Sequence, residues 1–532
     1  MKLKRQFGPI TILLISINGM IGSAWLFGPY YAAQSAGPAA LISWLIGSIA
    51  ILLVAFTFAE LSTMFPVAGG ISRIPQFSHG PLASFIMSWI AWLSCVTMAP
   101  IEVQAVLQYA SIHFPNLINP QSNQHALTPL GLLWATLLMF ILCWINIASL
   151  RHLIRSNFLM IIFKIGVIIL IIIAFASNHF HFSNLYALPG GFFATGLHGL
   201  FSAIAVSGIA FAYTGFRHGV ELAAETKNPK RAIPLAIIGS VICCLILYWL
   251  LQITFLTVLH PGALQNGWAH LSFSGDAGPF VGIAALLGLG WLVILIYANA
   301  IVSPMGAGLI YTTSTARIIY GMSKNGYFPQ FFLQLNKHST PTRCIWLNFA
   351  VGMFLFLPLT GWQNMISFLV SAVVISYGMG PVSLIALRWQ MPNASRPFKL
   401  PAGISLSVIA FYICNLIAYW SGWNTISKLT LAIIIGLVCF FIYHQRYNKS
   451  SDIKWRSAWW LLPYLGGLAL ISYLGSFGGG RGVIPFGWDF VVIALFSLLS
   501  LYLAVKTRLS NVPDIAHQAN SLDSIDSVAL QP

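Results

Sequence analysis

Arg217 and His218 stand side by side in YTGFRHG, residues 213–219, at the end of an apolar run that begins near Leu197. A guanidinium is a planar fork of donors that matches a carboxylate, and it keeps its charge. Inside an apolar run such a cation is costly unless it faces a cavity or a partner. Arg217 therefore marks either recognition of an anionic group or a buried ion pair with Glu102 or Glu221. His218 reads as a hydrogen-bonded neighbour of that site rather than a titrating switch. Lys164, in IIFKIG, is a second cation within an apolar run, and a desolvated lysine can give up its proton near neutral pH where arginine cannot. Glu102 adds a carboxyl group in a third run. Such a set can bind a charged small molecule and pass a proton. It does not suit hydrolysis: of ten acidic residues, Asp514, Asp523 and Asp526 lie in a polar tail, and the chain has no HExxH, GxSxG or Walker sequence.

The elements that position these groups follow from composition. Of 532 residues, 58% are hydrophobic and 7% charged, more apolar surface than a soluble fold can cover. Runs of about 17 to 25 apolar residues are long enough to cross a bilayer as helices. They fall near 9–33, 39–64, 83–111, 129–147, 154–177, 197–222, 234–259, 281–310, 343–360, 364–387, 402–420, 426–443, 457–475 and 488–505, which predicts an all-α integral membrane protein of about 14 spans. The first run follows the basic MKLKRQ, but it is too long and too rich in glycine for a cleaved signal peptide, so it is retained as a span.

The net charge of +16 is distributed by side. Of 26 Lys and Arg, 22 fall on the segments that share a side with the N-terminus; Lys428 and Arg481 fall on the other, and Lys164 and Arg217 within spans. This bias places both termini in the cytoplasm and makes the basic surplus an orientation signal, not a nucleic-acid surface. The seven cysteines lie in spans or at a cytoplasmic helix start and imply neither a disulfide framework nor a metal site. The glycine-rich GSFGGGRG, 475–482, lacks a GK[ST] ending and reads as a flexible connection. Residues 506–532 are expected to form a disordered cytoplasmic tail.

Two spans carry glycine-rich interruptions: GMIGS, 19–23, in the first and TGFRHG, 214–219, in the sixth. An odd number of intervening spans inverts the second relative to the first. Broken helices leave N–H and C=O groups that hydrocarbon cannot satisfy, so they persist where they line a polar site. Inverted repeats led by broken helices hold substrate at the breaks near the midplane. The alternative is that these glycines merely permit close helix packing.

GMIGSAWLFGP in span 1, AELSTMFPVAGGISRIPQF after span 2, GFRHGVELAAETKNPKRAIP through span 6 and TARIIYGMSKNGYFPQFF after span 8 together resemble the amino acid/polyamine/organocation (APC) superfamily of permeases. Within it, the WLFGP and GFR turns are most similar to bacterial permeases of the aspartate–proton symporter type. The resemblance implies a 5+5 inverted-repeat fold with a transport core over residues 1–390, accessory spans 11–14 over 391–505, and residence in a bacterial inner membrane. It implies an α-carboxylate binding site at Gly22, Ser23 and Ala24, where the family usually has glycine in place of Ala24, and ammonium binding by carbonyls of Met20, Phe211 and Thr214. It also implies that Phe211 covers the substrate, that Glu102 lines its distal end, and that Lys164 replaces a coupling cation, with the proton as coupling ion and no other cofactor. The competing reading of Lys164 is a fixed ammonium pinning span 5 to carbonyls of span 1. Arg217 stands where many members have an acid, which points to aspartate or glutamate; Glu102 could exchange Arg217 for a proton as substrate enters. Glu60, Glu225 and Arg317, at cytoplasmic helix ends, are either gate ion pairs or interfacial anchors. The expected function is proton-coupled uptake of an acidic amino acid across the lipid bilayer by alternating access. The alternatives are an exchanger or permease for neutral or cationic substrates, and a non-transporting nutrient sensor.

Overall fold

A computed structural model of the chain describes residues 7–67, 69–122, 125–148, 150–178, 180–186, 190–336, 340–447 and 454–512. Among these residues there are helices, short 3-10 turns and no strands. Among the described residues twelve helical segments are long and apolar enough to cross a membrane, Ala24–Met64 and the interrupted Gly196–Glu221 each counted as one, and Pro9–Met20 and Thr342–Leu355 are shorter apolar helices. Residues 513–532, most of the expected tail, lie outside the described residues. The tail's first residues are packed rather than loose: Leu509 is buried and its N–H donates to Ser78 O at 3.0 Å.

The first span is two half-helices, α1 (Pro9–Met20) and α2 (Ala24–Ala36), separated at Ile21–Ser23. Then follow α3 (Ala40–Met64), α4 (Gly70–Ala110), α5 (Pro129–Ala148) and α6 (Leu150–Asn178). The sixth span is α7 (Gly196–Val206), α8 (Ile209–Ala212), a 3-10 turn Thr214–Phe216 and α9 (Arg217–Glu221). After it come α10 (Pro229–Val258), α11 (Pro279–Leu286), α12 (Gly290–Lys324), α13 (Thr342–Leu355) and α14 (Gly361–Gln390). The chain ends in α15 (Gly403–Trp420), α16 (Trp423–Tyr447), α17 (Trp455–Ala458), α18 (Leu461–Leu474) and α19 (Trp488–Thr507).

Three sequence expectations change. Span 3 begins at Gly70, and Gly80 kinks it with φ 82°, a left-handed conformation open to glycine, which sets a first segment at an angle to the rest. The run 281–310 is not one helix: α11 ends at a turn through Gly288, and α12 runs on to Lys324. In the sixth span the arginine itself is helical, in α9, and an unforeseen interruption lies earlier, at Ser207–Gly208, where Gly208 has φ 89°. A Cβ on Gly208 would lie 2.8 Å from the Trp362 ring, so the turn is pressed against α14.

GSFGGGRG is also not a free connection. Trp423 N–H donates to Phe477 O and Asn424 N–H to Gly478 O, which fastens the loop to the start of α16.

Helices α12 and α14 pack along α4, and α10 packs on α3 and α1. In the middle of this group α1 meets the 3-10 turn and α9, so the two interrupted spans touch at their breaks. A Cβ on Gly215 would lie 2.6 Å from Met20 N and 2.8 Å from Gly19 C; backbone approaches backbone there because Gly215 has no side chain.

Candidate functional site

The break in the first span separates two helix ends of opposite polarity. The C-terminal end of α1 presents carbonyls with partial negative charge, and the N-terminal end of α2 presents N–H groups with partial positive charge. An ionisable side chain of complementary sign meets each end. Lys164, from α6, donates through Nζ to Asn18 Oδ1 at 2.5 Å and to Ile21 O at 2.9 Å. Glu102, from α4, accepts the Ser23 N–H on Oε2 at 2.7 Å. Both side chains are buried. Gly306 of α12 makes room for Lys164: a Cβ there would lie 3.0 Å from Lys164 Nζ.

The remaining carbonyls of the break are held by hydroxyl groups. Tyr248 donates to Met20 O at 2.7 Å, Tyr311 to Gly19 O at 3.2 Å, and Ser303 to Ile21 O at 2.9 Å. The Ser23 hydroxyl takes the indole N–H of Trp362 at 2.9 Å. Trp362 in turn stacks on Tyr31 with ring centroids 5.5 Å apart and meets Phe211 edge-on at 6.3 Å. Phe211 thus belongs to an aromatic cluster over the break and is not lipid-facing.

In the sixth span Thr214 Oγ1 donates to Phe211 O at 2.8 Å and Tyr377 OH donates to Thr214 O at 3.1 Å. One turn on, Arg217 Nε donates to Glu221 Oε1 at 2.7 Å, an i,i+4 pair within α9. Arg217 is 0% exposed, its neighbours include Cys95, Tyr311 and Tyr377, and neither Nη1 nor Nη2 has a protein partner. His218 packs against Gly19, where a Cβ would lie 2.5 Å from its ring, and against the Tyr311 ring at 4.9 Å.

Met20, Gly22, Ser23, Ala24, Glu102, Lys164, Phe211, Thr214 and Arg217 all lie buried at or beside the two breaks. Of the two acids open as partners for Arg217, Glu221 holds it, because a helix brings residues four apart onto one face, while Glu102 is engaged at Ser23. The expected ammonium-binding carbonyls of Met20, Phe211 and Thr214 each hold an internal hydroxyl in this conformation. Lys164 does tie span 5 to span 1. Sequence reasoning missed Tyr248, Tyr311, Tyr377, Trp362, Ser303 and Asn18. The signal available was weak: a hydroxyl or indole N–H in an apolar span needs a partner, but not a particular one.

Polar contacts join the helices at both ends of the two interrupted spans. Toward the N-terminus, Phe7 N–H donates to Glu225 O, Gly69 N–H to Glu221 O, and Arg317 pairs with Glu225 at 2.7 Å. Glu60 pairs there with Arg388 at 2.6 Å and also accepts the Leu400 N–H, so these acids form ion pairs across helices and are more than anchors. At the other end, Tyr30 OH and Gln34 Nε2 both donate to Leu271 O.

A family model described as amino acid permease matches residues 7–440. The glutamate/serine transporter AimA of Bacillus subtilis (strain 168) is 37% identical over 515 residues, covering 95% of this chain and 94% of its own. The aspartate-proton symporter of the same organism is 36% identical over 510 residues, covering 95% and 97%. Its branched-chain amino acid permease BcaP is 27% identical over 468 residues, covering 85% and 95%. With two interrupted spans facing each other in an all-α membrane protein, these matches establish that the chain belongs to the amino acid permease family and is an integral membrane transporter, not an enzyme.

Proposed function

We propose that the protein takes up an acidic amino acid, aspartate or glutamate, with a proton across the bacterial plasma membrane, with both termini cytoplasmic. The observation that carries this reading is the Arg217 guanidinium: fully buried one turn from the second break, it spends one N–H on Glu221 and leaves Nη1 and Nη2 without a protein partner. A buried charged donor pair is costly to leave unmatched, and a side-chain carboxylate from the ligand matches it in geometry and charge. The relatives named for glutamate/serine and aspartate-proton transport support the same choice.

The α-carboxylate binds the N–H groups of Gly22, Ser23 and Ala24 at the positive end of α2. The ammonium takes the carbonyls of Met20, Phe211 and Thr214 as the internal hydroxyls yield them, and Phe211 with Trp362 covers the bound molecule. Lys164 carries the coupling proton. Its ammonium ties α6 to Ile21 O and Asn18 Oδ1, and charged hydrogen bonds of this kind are each worth about 1.5–3 kcal/mol, so deprotonation loosens the hold on α1 as the site changes sides.

The glutamate/serine name of one relative favours a second reading, a small neutral substrate. Uptake of labelled aspartate into proteoliposomes with an inward proton gradient, challenged by unlabelled amino acids, separates the two. Aspartate and glutamate are expected to compete strongly and serine weakly. Equal competition by serine and alanine would overturn the acidic reading.

A further inference from the structure

Glu102 sits where the substrate's α-carboxylate belongs. The carboxylate arrives from α4, a separate span, so it is no local helix cap. Its Oε2 holds the Ser23 N–H at 2.7 Å, at the first turn of the 13-residue helix α2. Its second oxygen, Oε1, is buried, has no protein partner, and points at the turn: a Cβ on Gly22 would lie 2.4 Å from it. Gly22 is thus needed for the close approach of Glu102, independently of any ligand. The arrangement is that of a bound carboxylate at a helix N-terminus, made with a residue of the protein itself.

We infer that Glu102 is a built-in competitor for the α-carboxylate subsite, and that substrate binds by displacing it from Ser23. One N–H cannot serve two carboxyl groups at once. The side chain is well placed for such an exchange. Lys164 lies on the carbonyl side of the same tripeptide, Ile21 to Ser23, with Nζ 2.9 Å from Ile21 O. The turn packs against Ala307 of α12, where a Cβ on Gly22 would lie 3.0 Å from the alanine Cβ. The role differs from lining the distal end of the substrate: Glu102 opposes binding until it moves, which keeps the positive end of α2 satisfied during the return of the unloaded carrier.

This inference rests on the first break being the substrate site. Its test is equilibrium binding of labelled aspartate, glutamate and serine to purified wild type, Glu102→Gln and Glu102→Ala, together with counterflow in proteoliposomes, which requires no net proton movement. The inference predicts tighter binding of the preferred amino acid in both variants, about tenfold in Glu102→Ala and less in Glu102→Gln, whose carboxamide oxygen still accepts the Ser23 N–H without a charge. Counterflow is expected to persist in the isosteric Glu102→Gln, which guards against a misfolded Glu102→Ala. Unchanged or weaker binding in both variants, with the wild type binding normally, overturns the competitor role and leaves the site intact. Absence of saturable binding in the wild type would instead overturn the reading of the site.

Discussion

The two breaks are satisfied by different chemistry. At the first, charged side chains from two other spans join the hydroxyls of Tyr248, Tyr311 and Ser303 on the unpaired backbone: Lys164 on a carbonyl and Glu102 on an N–H. At the second, the partners are neutral hydroxyls, Thr214 on Phe211 O and Tyr377 on Thr214 O, and the nearby ion pair of Arg217 and Glu221 lies within one short helix. A charge carried in from another helix can be gained, lost or replaced by a proton or a ligand. A pair made inside one turn persists through such changes. On the proposed function, the first break would be the part of the site that responds to protons and substrate charge, and the second would supply shape and a fixed cation.

The strongest way to break this contrast is at Lys164. Lys164→Met is expected to bring proton-driven accumulation down to the level of empty liposomes while counterflow survives; accumulation at wild-type rate would remove the responsive role of the first break. At the second break the charge is structural as well as specific. Arg217→Gln leaves Glu221 as a buried, uncompensated carboxylate and is expected to cost about 3–5 kcal/mol of stability. The double variant Arg217→Gln with Glu221→Gln should recover most of that loss in a thermal unfolding assay in detergent, without restoring dicarboxylate preference. If the single and double variants unfold alike, the pair is not the unit described here.

Contact between the breaks sets the next effect. Gly215→Ala drives a Cβ against Met20 N and Gly19 C, backbone atoms that cannot turn aside, whereas Gly19→Ala meets the His218 ring, which can rotate. Overpacking of this kind costs about 1–3 kcal/mol, so initial uptake rates should fall further for Gly215→Ala than for Gly19→Ala. The reverse order would mean that the breaks separate easily. The smallest effect belongs to a single hydroxyl: Tyr377→Phe removes the bond to Thr214 O and is expected to cost about 1 kcal/mol in substrate affinity or stability, leaving proton dependence as it was.

Much of this arrangement was legible in the sequence for physical reasons. Apolar length located the spans, and the glycines of GMIGS and TGFRHG marked the breaks, where Gly19, Gly22 and Gly215 leave no room for a Cβ. Lone charges in spans singled out Lys164, Glu102 and Arg217. What stayed hidden were choices among equals. Glu102 and Glu221 were both credible partners for Arg217, and the i,i+4 geometry of α9 decides for Glu221 only once Arg217 is known to be helical rather than part of the break. The tyrosines at positions 248, 311 and 377 carry no local signal, since the carbonyls they hold lie 228, 292 and 163 residues away in sequence. The turn at Gly208 depends on Trp362 pressing from α14, a contact no local pattern shows.

The most direct test of the central claim, that the first break holds the substrate's α-carboxylate and Arg217 its second one, uses wild-type protein and three ligands. Aspartate, its α-amide and its β-amide asparagine would each compete against labelled aspartate uptake. The account predicts that the α-amide fails to compete and that asparagine competes at least about tenfold more weakly than aspartate, one lost charged contact in each case. An α-amide that competes as well as aspartate would contradict it.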